Sequence, residues 1–80
     1  MTIIAKQEQG YGNEYDLFDT DSETYVGMIK GRWTNEPGGI EHLVWEIQRW
    51  RNGNPDGSIL RPPAGIGTDE LIEMAKDFVK

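Results

Sequence analysis

The chain has 80 residues, 36% of them apolar and 28% charged, with no cysteine and a formal net charge of −6. That size leaves room for one hydrophobic core, and so for a single domain over residues 1–80. The missing cysteines exclude disulfides and thiolate metal sites, and the acid excess argues against direct nucleic-acid binding.

In chain order, Thr2 to Glu8 opens with β-branched residues and reads as a first strand. Gly10-Tyr11-Gly12-Asn13 is a turn, and Glu14 to Leu17 alternates polar and apolar as a half-buried strand does. Asp19-Thr20-Asp21-Ser22 is a polar turn, and Thr24 to Lys30 a third strand, apolar on both faces. The break at Thr34–Gly39 takes the chain out of the sheet. Ile40, Leu43, Val44, Ile47 and Trp50 then recur at helical spacing, which predicts a helix ending near Asn52-Gly53. A turn at Asn54–Gly57 leads to a short fourth strand at Ser58–Leu60, stopped by Pro62-Pro63. Thr68 is placed to cap a last helix whose apolar face is Leu71, Ile72, Ala75, Phe78 and Val79. The expected fold is α+β: a small antiparallel meander of three strands, with the short fourth, and two amphipathic helices on one face.

Candidate chemistry is sparse. Serine occurs at Ser22 and Ser58 alone, His42 is the single histidine, and their spacing builds no triad, so no enzyme is expected. Asp19-x-Asp21-x-Glu23 matches the opening ligands of a calcium-binding loop, but Thr24 and Lys30 stand where that loop needs Gly and Glu. On a helix His42 and Glu46 would lie one turn apart and could share a divalent ion, though two ligands make no structural site. Acids in the first turn of each helix, Glu41 in one and Asp69 and Glu70 in the other, oppose phosphate binding there. Neither a metal nor an organic cofactor is expected. A basic group of Arg49, Arg51 and Arg61, with Lys30 and Arg32 elsewhere and Trp33 and Trp50 among them, could stack bases, against the acid excess.

The acids point elsewhere. From Gln7 to Ile29 there are six acids and no Lys or Arg. Strand alternation puts Glu14 and Asp16 on one face, where they would form a ridge with Asp19, Asp21 and Glu23 and dock on a basic surface of a partner protein. A solvated hairpin charged against edge pairing explains the same residues more simply. On the helical wheel Trp45 falls opposite the apolar stripe, so it or Trp33 would serve as an apolar anchor.

Size, the acidic segment Glu14–Glu23 and the compact α+β pattern together resemble the small acidic inhibitors made by bacteriophages, anti-CRISPR proteins among them. The resemblance is one of type and carries no motif. It implies a non-enzymatic inhibitor that blocks the nucleic-acid-binding channel of a CRISPR effector subunit. The alternatives are an interaction module that assembles a complex or pairs with a second copy of itself, and a weak metal-binding domain. The N-terminal run Ile3-Ile4-Ala5 is too short for a signal peptide, and no stretch nears the roughly 20 apolar residues of a membrane span. The expected location is the cytoplasm.

Overall fold

Five antiparallel strands and one helix form in the computed structural model, which describes residues 1–7, 13–35 and 41–80. Strands β1 (Ile3–Gln7), β2 (Glu14–Asp19), β3 (Thr24–Asn35), β4 (Glu41–Arg51) and β5 (Asn54–Leu60) lie side by side in chain order. Helix α1 (Thr68–Val79) packs across one face of this sheet, against β1, β3 and β4. No helix among the described residues is long and apolar enough to cross a membrane.

The expectation of two helices on three strands is therefore wrong. Of the first helix expected from Ile40 to near Asn52-Gly53, Ile40 lies outside the described residues, and 41–51 form a strand paired with β3 from Gly27↔Arg49 to Asn35↔Glu41. The segment satisfies two periods at once. Leu43, Val44 and Ile47 fit a helical stripe, but Leu43, Trp45 and Ile47 also alternate with Val44, Glu46 and Gln48. Tertiary pairing and the β-branched and aromatic side chains select the strand. Asn52 and Gly53 do not cap a helix. Both have positive φ, 53° and 78°, and link Arg51 to Asn54 in the two-residue hairpin turn that Asn-Gly favours.

The fourth strand of the sequence reading becomes a fifth, and it starts at Asn54 rather than Ser58. The turn expected at 54–57 is instead an irregularity within β5, where the register slips opposite Arg49. Gly57 has φ +86° there. Pro55 is tolerated because β5 lies at the sheet edge. β3 continues five residues past its expected end at Lys30. The expected break at Thr34–Gly39 thus falls partly within β3, and from residue 36 it lies outside the described residues, as do Glu8 and residues 10–12 of the first turn.

The core lies between sheet and helix. Ile3, Leu17, Val26, Ile29 and Ile47 face Leu71, Ala75 and Val79, all buried. The helical face is the expected one, but its start differs. Gly67 is the N-cap with extended backbone and no side-chain bond, and Thr68 is the first helical residue. A bulge in β3, at the register shift beside Leu17/Phe18, leaves Val26 unpaired and lets both Val26 and Gly27 turn toward the helix.

At Gly27 the helix lies close upon the sheet. A Cβ built there would lie 2.5 Å from the Gln48 carbonyl oxygen and 2.9 Å from Val79 Cγ1. The first of these is backbone of a paired strand and cannot yield cheaply. Gly27→Ala is therefore expected to cost about 1–3 kcal/mol, read from urea denaturation. A change within about 0.5 kcal/mol would mean that strand and helix give way at no cost.

Candidate protein-docking site

The strand lengths do not match, and this creates an arm. β2 reaches β3 only as far as Glu14↔Lys30, and β5 reaches β4 only as far as Ile47↔Leu60. Among the described residues, Arg32–Asn35 and Glu41–Val44 therefore pair only with each other. The two-stranded arm runs about 13 Å past Gly31 at the usual strand rise. Its helix-side face carries Trp45, Leu43 and Trp33 in alternate rows.

The two tryptophans of this face differ sharply. Trp45 is half-buried: its ring lies over Gly31, 2.9 Å from where a Cβ would be, and tilts against Tyr15 at 6.3 Å between centroids. It extends the core rather than standing opposite an apolar stripe, as the helical reading had it. Trp33, across from Leu43, is 66% exposed. It is the large apolar side chain that the fold leaves to solvent in the middle of the arm.

The acids do not form one ridge. Glu14 and Asp16 share the face away from the helix, and Asp16 accepts a hydrogen bond from the Tyr25 hydroxyl at 3.2 Å. Asp19 has the opposite parity on β2 and turns inward, 5% exposed. Its carboxylate accepts bonds from the Ser22 hydroxyl at 2.8 Å, the Asp21 amide at 3.1 Å and the Thr2 amide at 3.3 Å. It shapes the β2–β3 turn and ties it to the start of β1. Asp21 and Glu23 are exposed in that turn, and Asp21 also accepts from Thr2 Oγ1 at 3.2 Å. Glu23 has φ 54°, unusual for a residue other than glycine.

Asp21 and Glu23 lie at the opposite end of β3 from Trp33. Ten residues of strand separate Glu23 from Trp33, about 30 Å. A standard interface covers about 800 Å² on each partner, a disc that reaches about 16 Å from its centre. One such interface centred on Trp33 cannot include the turn acids.

The basic residues regroup as well. Arg49 and Arg51 both bind Asp56, at 2.6 Å and 3.3 Å, and Arg49 donates to the Ser58 hydroxyl at 2.9 Å and lies over the Phe78 ring. They brace the irregular part of β5. Lys30, Arg32 and Arg61 instead line one groove of about 310 Å³ on the face away from the helix, with Met28, Val44, Glu46 and Gln48. In the sequence Lys30 and Arg32 stand apart from Arg61. Alternation along β3 already joins Lys30 to Arg32, but only the place of β5 beside β4 brings in Arg61. Beyond this groove the same face carries Phe18, Tyr25 and Trp50, packed edge to face at 5.5 and 4.9 Å, with Lys6 over the Phe18 ring.

The metal readings lose their geometry. On a strand His42 and Glu46 lie about 13 Å apart, too far to share an ion. Among the described residues, no three His, Asp or Glu side chains converge to hold a metal. No protein family, curated protein or solved structure matches this chain.

The bonded carboxylates set a pH dependence. The Ser22 hydroxyl, with the Asp21 and Thr2 amides, holds the Asp19 carboxyl below its usual value against the opposing effect of burial. The Ser58 amide, helped by Arg49, does the same for Asp56. A folded value below the unfolded one stabilises the fold above about pH 4, and this stability is lost as pH falls through the folded value. Asp19→Asn is expected to melt below the wild type at neutral pH, the gap narrowing as pH drops below about 4. A gap constant with pH, followed by circular dichroism, would show that the charge of Asp19 contributes nothing.

Proposed function

We propose that this chain is a non-enzymatic protein-binding protein that engages its partner through the β3–β4 arm, with Trp33 as the anchor. The single observation that carries this is the 66% exposure of Trp33 on a segment lying beyond the sheet's outer strands. Tryptophan leads the residues that dominate binding energy, and one seated in a partner's pocket commonly contributes about 2 kcal/mol or more. The arm's backbone is paired across two strands, so less ordering entropy opposes docking than for an unpaired loop. An inhibitor that works by occupying a partner's surface belongs to this class, and the resemblance to small phage-encoded inhibitors makes a CRISPR effector subunit one such partner. The acidic turn enters this reading as a solvated hairpin end.

Capture from a lysate of the source cells tests the proposal, with wild type, Trp33→Ala and Asp21→Asn/Glu23→Gln compared side by side. Trp33→Ala is expected to lose the specific partner while the amide variant keeps it. The reverse result would overturn the arm reading in favour of docking by the acids. Sedimentation of the purified proteins completes the test: self-association by wild type, absent in Trp33→Ala, identifies a second copy as the partner.

A further inference from the structure

The chain has eight basic residues against fourteen acidic ones. With acids in such excess, an exposed base normally finds a partner. Five of the eight do: Arg49 and Arg51 bind Asp56, Lys76 meets Glu73 at 3.7 Å, Lys80 meets Asp77 at 3.5 Å, and Lys6 lies over Phe18. The other three, Lys30, Arg32 and Arg61, form no ion pair or hydrogen bond with any described residue. They are the three that line the groove on the open sheet face. Glu46 stands cross-strand from Lys30 in the same groove, and Glu14 pairs with Lys30 on its other side, yet neither bonds to it.

We propose that this groove binds an acidic peptide segment of the partner protein, in extended form, through carboxylates that pair with Lys30, Arg32 and Arg61. This rests on the protein-binding reading above and names the chemistry of the partner. Lys30 and Arg32 are two residues apart on one strand, so their side chains project about 6.6–7 Å apart. An extended peptide spaces alternate side chains equally, so acids two residues apart match the two bases. Met28 and Val44 offer an apolar floor for the stems of those side chains. A nucleic-acid strand fits less well. Glu46 lies in the groove, Glu14 and Asp16 share the face, and the net charge of −6 opposes a polymer with a charge on every unit. The aromatic rings on this face pack against one another instead of standing free to stack bases, and Phe18 carries Lys6 on its face.

The groove lies on the face opposite Trp33, so each can be tested without the other. The probe is a labelled peptide of alternating Glu and Thr, followed by fluorescence anisotropy at low and high salt, with an oligothymidylate of equal charge in parallel. Wild type is expected to bind the peptide, more weakly at high salt. The variant Lys30→Gln/Arg32→Gln/Arg61→Gln should bind about tenfold more weakly, through the loss of three exposed charge pairs. Glu46→Gln should bind about two- to threefold more tightly, a gain that no folding defect produces. Trp33→Ala should bind the peptide as wild type does, whatever becomes of its capture of the whole partner. Equal binding by the triple variant, no binding by wild type at low salt, or tighter binding of oligothymidylate than of peptide would each overturn the proposal.

Discussion

The pairing of β3 with β4 is the constraint on which the rest depends. β3 has 12 residues against 6 in β2, β4 has 11 against 7 in β5, and the two long strands are in register over nine residue pairs. Where both have outer neighbours, they form the centre of the sheet and the floor of the core. Where no described strand flanks them, they form an arm with two faces. A two-stranded ribbon is marginal in water by itself. This one is held at its root, where Trp45 closes over Gly31 and against Tyr15.

Charge follows the same division. The inward parity of β2 takes Asp19 out of solvent and binds it to Ser22, Asp21 and Thr2, so a residue that looks like part of an acidic patch becomes a fastener of the first hairpin. Asp56 plays the matching part in the last hairpin, gathering Arg49, Arg51 and Ser58 around the irregularity in β5. What remains for solvent or a partner is unevenly placed. Acids collect on the outer side of the helix and at the β2–β3 turn, and the bases that pair with no described residue collect at the root of the arm.

Much of this was legible in the residues. The first three strands and the last helix follow from alternation and from the spacing of Leu71, Ala75 and Val79. The inward turn of Asp19 was also within reach, since it has the parity of Tyr15 and Leu17 rather than of Glu14 and Asp16. Residues 41–51 are ambiguous in sequence because both faces of β4 carry apolar side chains, so the helical stripe and the strand alternation coexist. Two signals favoured the strand: Trp45, out of place on a helix, falls in line with Leu43 and Ile47, and Asn52-Gly53 marks a tight hairpin. The arm was not legible, because it arises from a difference in length between strands that only pairing reveals. The groove was half legible, as Lys30 and Arg32 share a face by alternation while Arg61 arrives through topology.

The position of the helix after all five strands has a kinetic consequence. Every strand pair joins neighbours in sequence, so the sheet can zip from local contacts with little loop closure to overcome, a topology that folds fast. The helix-side face, with Leu17, Ile29 and Ile47, stays wet until residues 68–79 arrive to cover it. During synthesis the nascent meander thus exposes a flat apolar surface before its lid exists, and the β1 and β5 edges flank that surface. The molecule is most prone to associate with other chains in that interval, and the speed with which α1 docks over Gly27 decides how long it lasts.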